Sequence, residues 1–202
     1  GYYYLSLEQE PPRPVLDQPA VIEYVFQNGL SPRQQEEIRR IEQMGFVLGR
    51  ESGRMTLSAA QAAREGAADR VRCAAAGEEE CIGQLFAATF NPLYSYLPDR
   101  EELAGAIAEK RVYVVFSGES LCAALYAQRE KQTAVIRLLA VSPAYRQQGL
   151  GRQLVQFYHA SLADKVDAFT HWVDLHNTGA IRLYQGFGYA FDSRRANEYI
   201  RV

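Results

Sequence analysis

Cysteine is scarce in this chain. Cys73, Cys81 and Cys122 are the only three in 202 residues, an odd number with no Cys-x-x-Cys spacing. That excludes a disulfide framework and points to reduced, packed thiols. Histidine is equally sparse: His159, His171 and His176 fall in no His-Glu-x-x-His pattern and in no cluster with metal-ligand spacing, so no metal is expected. No apolar run approaches the length of a membrane span. The opening Gly1-Tyr2-Tyr3-Tyr4 has no secretory pattern, and a cytoplasmic location is the expectation. A surplus of positive charge is also missing. The formal net charge is −2, so neither nucleic acid nor an anionic membrane is expected as a partner.

What remains is an ordinary globular composition, 48% hydrophobic and 23% charged, long enough to bury a core without metals or staples. Residues 10–19 hold four of the eight prolines and read as an extended connector. Ala20–Phe26 reads as a strand. Ser31-Pro32 then caps a helix that runs to about Met44, where Gly45 stops it. Two short strands, Phe46–Leu48 and Met55–Leu57, flank a turn at Gly49–Gly53. The Ala-rich residues 59–69 read as a linker, with a domain boundary near residue 65. Two units follow: an N-terminal α/β extension over residues 1–65 and a larger domain over residues 66–202. In the second, a strand, two helices (the second capped by Asp99), three strands, a helix, a strand, a short helix and two final strands, Tyr189–Asp192 and Asn197–Val202, imply a mixed α/β sheet with helices on its faces.

Chemistry concentrates in two segments. In the first, an apolar strand ends at Val141, Pro143 breaks it, and Gly149 and Gly151 open a helix. Glycines there let backbone N–H groups converge on an anion, and the helix adds its positive end. Arg146 and Arg152 supply charge-assisted contacts, so the loop suits a pyrophosphate. The loop has neither the lysine of a P-loop nor the third glycine of Gly-x-Gly-x-x-Gly. In the second segment, Asn177 caps a helix and Tyr184 lies seven residues on, about two turns, so both face one side.

Together the two segments resemble the GNAT superfamily of acetyl-CoA-dependent N-acetyltransferases. Arg146, Gly149 and Gly151 stand at the defining places of its (Arg/Gln)-x-x-Gly-x-(Gly/Ala) loop, after the lead-in Leu139-Ala140-Val141-Ser142-Pro143. Residues 177–187 are similar to its Asn-x-x-Ala-Ile-x-Leu-Tyr segment, with Tyr184-Gln185-Gly186-Phe187 one residue shorter than the commonest form. The resemblance covers about residues 70–202. It implies a GNAT fold in which two parallel strands, here Thr133–Val141 and Ala168–Leu175, splay apart around acetyl-CoA. Leu139, Ala140 and Val141 would then pair with the pantetheine arm. Arg146, Gln147, Gln148, Gly149, Leu150, Gly151 and Arg152 would hold the pyrophosphate, and Asn177 would hydrogen-bond the cosubstrate. Tyr184 would protonate the leaving thiolate while a primary amine, on a small molecule or a protein, attacks directly.

Many relatives place a Glu just before the Leu-Ala-Val segment, where this chain has Arg137 and Leu138. The base is therefore open among His176, Asp174, Glu198 and water; His159 and His171 read as structural. Tyr94 and Tyr96, on the loop Asn91–Pro98, are expected to line the acceptor pocket. Residues 38–58 echo residues 181–202, which suggests a degenerate half-unit, with Glu42 at the place of the tyrosine. That piece is expected to shape the acceptor site or a homodimer contact. A non-catalytic acyl-CoA sensor on the same fold is the alternative function.

Overall fold

The computed structural model describes residues 19–62 and 68–201. The connector at residues 10–19 and the boundary near residue 65 therefore fall almost wholly outside the described residues. Only a single 3-10 turn, Ala59–Gln61, is described within the Ala-rich stretch.

Among the described residues, eight strands form one sheet. In chain order they are β1 (Ala20–Gln27), β2 (Val47–Ser58), β3 (Val71–Cys73), β4 (Val112–Ser117), β5 (Ser120–Glu130), β6 (Thr133–Val141), β7 (Ala168–Asp174) and β8 (Ala190–Arg201). The helices are α1 (Pro32–Gln43), α2 (Glu79–Thr89), α3 (Arg100–Ala108), α4 (Leu150–Leu162) and α5 (Thr178–Gln185). Across the sheet the order is β1-β8-β2-β7-β6-β5-β4-β3, with every pair antiparallel except β6 and β7.

Local chemistry explains the helix starts. Ser31 and Gln34 form a reciprocal capping box with Pro32 in the first turn, and Asp99 and Glu102 form another. Tertiary pairing explains the strands. Residues 49–53 and 193–196 read as turns, the first because it is charged and glycine-bearing and the second because it is charged. In the structure each runs on as strand, so β2 and β8 are single twelve-residue strands. Both are sandwiched, β2 between β7 and β8 and β8 between β1 and β2, so their backbone groups are satisfied from two sides. Their charges pair across strands. Arg54 Nε lies 2.6 Å from Asp192, and Arg50 Nε lies 2.7 Å from Glu198. Register shifts beside Gly49 and Arg54 absorb the irregularity as bulges.

One core lies between the sheet and α4 with α5, around Phe169, Tyr158, Leu154 and Leu125. A second lies under α2 and α3, around Phe86, Ile82 and Leu103. The helix α1 covers Tyr199 of β8 with Ile38, Ile41 and Met44. Strand alternation then turns Glu23, Val25 and Glu198 to the opposite face, away from α1.

The units β1-α1-β2 and β7-α5-β8 are alike. A left-handed glycine follows each helix, Gly45 at φ 87° two residues after α1 and Gly188 at φ 91° three residues after α5. Buried Phe46 and Tyr189 follow directly, and buried Ile41 and Tyr184 stand four residues before. By that register Ile41, not Glu42, occupies the place of the tyrosine. The ladder is itself symmetric: Ser52 faces Ala196, flanked by Glu51 opposite Asn197 and Gly53 opposite Arg195.

The Arg50–Glu198 pair joins β2 to β8 with Glu198 only 6% exposed, whereas Arg33–Glu37 on α1 has an arginine 82% exposed. Arg50→Ala should therefore lower unfolding free energy by about 2–4 kcal/mol, since it strands a buried carboxylate. Arg33→Ala should cost under about 1 kcal/mol. Urea denaturation of the two variants checks this, and equal losses would contradict it.

Candidate active site

The two parallel strands pair only from Thr133–Ile136 on β6 to Ala168–His171 on β7. Beyond that they separate. β6 stays with β5, and β7 is drawn to the other side by β2, which pairs with it from Ser52 to Ser58. The gap opens a cleft of about 870 Å³. Its walls include Leu138 and Leu139 from β6, His171 to Asp174 from β7, and Asn177, Leu183 and Tyr184 from α5.

Tyr184 is 5% exposed yet reaches the cleft. Burial pushes its phenol well above the usual range, so it stays protonated near neutrality. Among the described residues its hydroxyl makes no hydrogen bond; its ring stacks on His171 with centroids 3.6 Å apart. His171 reads from sequence as structural, but it forms the cleft wall beneath Tyr184, and both of its nitrogens are buried without a partner among the described residues. Burial holds its pKa down at about 3 and that of His159 at about 4. Behind them, Tyr189 Oη lies 2.9 Å from His159 Nε2.

Asn177 caps α5 by accepting a bond from Ala180 N at 3.0 Å, and it lines the cleft. The glycine loop is built as its sequence requires. Gln147 and Gly149 are left-handed, at φ 61° and 74°, and Gly149 is the N-cap of α4. Leu150 buries its side chain in the core, leaving its backbone at the helix start. Arg146 and Leu139 reach the cleft itself; Ala140, Val141, Gln147, Gln148, Gly149, Leu150, Gly151 and Arg152 do not line it. Arg146 Nε bonds Val141 O at 3.3 Å, and the Arg152 guanidinium lies over the Phe187 ring at 4.9 Å.

The far end of the cleft comes from the N-terminal segment. Glu23, Val25, Gly49, Arg50 and Ser52 line it, opposite Tyr94, Ser95 and Tyr96. Arg50 grips Glu198 with two donors and also bonds the Tyr94 carbonyl. Tyr94 packs over Gly49, where a Cβ would meet its hydroxyl at 2.4 Å. The tyrosine loop is thus clamped to β2. Tyr96 is 47% exposed and hydrogen-bonds Glu102 at 2.5 Å. Glu198, one candidate base, is committed to Arg50. His176, another, is exposed and pairs with Asp174 at 3.3 Å. Neither Glu23 nor Arg50 carries a motif, and only their register beside Glu198 brings them to the site.

The described residues contain no group of His, Cys, Asp or Glu able to hold a metal ion, and no helix long and apolar enough to cross a membrane.

A family model described as the acetyltransferase (GNAT) family matches residues 36–189, most of the chain. Among solved structures, the fold is similar to that of a GCN5-related N-acetyltransferase from Sphaerobacter thermophilus. Identity is 16% and the TM-score 0.68, over 91% of this chain and 60% of that one. An acetyltransferase of the GNAT family from Colwellia psychrerythraea matches at 13% identity and TM-score 0.58, over 91% and 65% of the two chains. A tandem GNAT protein from the clavulanic acid biosynthesis pathway matches at 11% identity and TM-score 0.56, over 91% and 63%. The chain thus spans less than two thirds of each of these relatives. No curated protein matches it.

Gly149 is left-handed, whereas a Cβ on Gly151 would meet only Leu183, Leu139 and Val141 at 3.5–3.8 Å. Gly149→Ala should cost about 1–2 kcal/mol, while Gly151→Ala should be nearly neutral; thermal melts distinguish them. The two histidines give a pH prediction. In the unfolded chain they bind protons below about pH 6.5; in the native state they do so only near 4 and 3. The unfolded state therefore binds more protons as pH falls, and stability declines from about pH 6.5 downward. Denaturation at pH 7 and pH 5 should show the loss, and a flat profile would contradict it.

Proposed function

The chain belongs to the acetyltransferase (GNAT) family, and we propose that it transfers an acetyl group from acetyl-CoA to a primary amine by direct attack, with Tyr184 as the general acid. The observation that carries this reading is the placement of a buried, protonated phenol, free of any partner among the described residues, on the wall of a cleft formed by two splayed parallel strands.

The residues fit the cosubstrate. Past Ile136 the β6 backbone loses its β7 partner while β5 still pairs with it, so those backbone groups of Leu139, Ala140 and Val141 that point away from β5 suit an extended ligand that hydrogen-bonds like a strand, with Val141 O also accepting from Arg146 Nε. The left-handed Gln147 and Gly149 turn the loop over the start of α4. Backbone amides from Arg146 to Arg152, with the two guanidiniums, then suit a pyrophosphate. Asn177 retains its side-chain amide donors after capping α5. Acetyl-CoA supplies the thioester. The protein supplies orientation and a proton at the phenol oxygen of Tyr184. Such a donor contributes about 10²–10⁴-fold.

Within this reading, residues 20–58 are a half-unit of the same fold, structurally fused to the domain and forming the acceptor end of the cleft. The like-for-like geometry of β1-α1-β2 and β7-α5-β8 supports this, as does the similarity to a tandem relative. The half-unit carries Ile41 where Tyr184 stands and is taken as non-catalytic.

Tyr184→Phe should cut CoA release with amine acceptors at least 100-fold, while acetyl-CoA binding, followed by calorimetry, stays within a few-fold. Unchanged turnover would remove Tyr184 from the mechanism. Tight acetyl-CoA binding without CoA release for any amine would favour a sensor.

A further inference from the structure

Glu23, Glu198 and Arg50 lie in one row across three strands. Glu23 faces Glu198 in the β1–β8 ladder, and Arg50 faces Glu198 in the β2–β8 ladder. All three line the cleft that also holds Tyr184. Arg50 takes the more buried carboxylate, Glu198, through Nε and Nη2. Glu23 is then left with no hydrogen bond or ion pair among the described residues. Its environment is drawn from several elements: Glu198 from β8, Arg50 from β2 and Arg137 from β6, with Asp174 from β7 and Tyr94 from the loop on the same walls. Partial desolvation by those walls, then the Glu198 charge, raise its pKa against the pull of Arg50 and Arg137.

Glu23 is exposed at the cleft surface, and apolar side chains lie among these charged groups. Val25, 50% exposed, sits two residues along β1, and Trp172, 37% exposed, shares the cleft. Phe90, Tyr94 and Tyr96 form the facing wall. An unpaired carboxylate with aromatic and apolar side chains in the same cleft suits a cation on a hydrophobic stem.

We propose that Glu23, supplied by the N-terminal segment, binds the acceptor's ammonium group and takes its proton, and that the acceptor is a primary amine on an apolar or aromatic stem. This rests on the acyl-transfer reading above. The ammonium gives one proton to the Glu23 carboxylate and becomes a neutral amine. Its lone pair forms the N–C bond to the thioester carbonyl as the C–S bond breaks, and Tyr184 protonates the sulfur. The nitrogen's surplus proton leaves through solvent to restore the Tyr184 phenol, and Glu23 releases its own proton to water. No oxidant or further reactant is needed.

The test uses the full chain with acetyl-CoA and 2-phenylethylamine, following CoA release against pH. Glu23→Gln should lower kcat/KM for the amine about 100-fold or more and abolish the acid limb of the profile. Glu23→Asp should restore part of both. Acetyl-CoA binding should hold. The melting temperature of Glu23→Gln should stay level or rise, because a like charge opposite Glu198 is removed. Turnover by Glu23→Gln within threefold of the parent, while Tyr184→Phe is impaired, would overturn the role of Glu23 and leave the acyl-transfer reading intact. A parent enzyme that takes ethanolamine in preference to 2-phenylethylamine would overturn the acceptor class. A parent that releases no CoA with any amine would overturn the transfer reading, and this inference with it.

Discussion

Two parallel strands that begin hydrogen-bonded and end apart set the terms for the rest of this molecule. β6 and β7 pair over four residues and then part, which leaves strand backbone in a cleft where sheet would otherwise continue. Separation costs ladder bonds, so something must hold each strand from its other side. β5 holds β6 along its whole length through a bulge at Arg137, and β2 holds β7 over seven residues. Without the outer partner, β7 would be an edge strand free to close on β6, and the cleft would be lost.

The N-terminal segment therefore has two connected roles. Its strand β2 keeps the cleft open, and its side chains furnish the cleft's far end. Arg50 ties both together. One guanidinium crosses to Glu198 on β8 and to the carbonyl of Tyr94 on the α2–α3 loop, so sheet and loop share a fastening. Gly49 lets Tyr94 lie against the β2 backbone, which a larger residue would prevent. Placing the Tyr94 wall of the cleft on the same ion pair that binds β2 to β8 couples the shape of the pocket to the stability of the sheet. A pocket built this way is more rigid than one built from loops alone.

The sequence was informative where the signal is local. Ser31 and Asp99 caps, Asn177 at the head of α5, and the Val141-to-Leu150 strand, turn and helix could all be read directly, and the strand Thr133–Val141 ends where expected. It misled where partners decide. Residues 49–53 and 193–196 look like turns by composition, yet pairing on both flanks keeps them extended. Insertion of β2 between β7 and β8 joins residues more than a hundred positions apart, and no periodicity announces that. The same distance hid Glu23: a charged residue in a short amphipathic strand reads as a solvated face until the register sets it opposite Glu198. His171 reads as structural and is buried, and its packing on Tyr184 was not legible because the two come from different elements.

The distribution of charge across the row Glu23–Glu198–Arg50 follows from solvation. Arg50 commits Nε and Nη2 to Glu198, with Nη2 also donating to the Tyr94 carbonyl, and its charge is worth most on the carboxylate that water reaches least. Glu198 is that residue, at 6% side-chain exposure. Were Arg50 to turn to Glu23, Glu198 would be stranded as a buried, unpaired anion, a far costlier state than leaving Glu23 at the open end of the cleft. The arrangement thus has one low-energy solution: the deep carboxylate is neutralised as structure, and the shallow one keeps its charge and its lone pairs. Two adjacent acids, identical in chemistry, are sorted by depth into a fastening and a free group. The free group is the one that faces the same cleft as Tyr184.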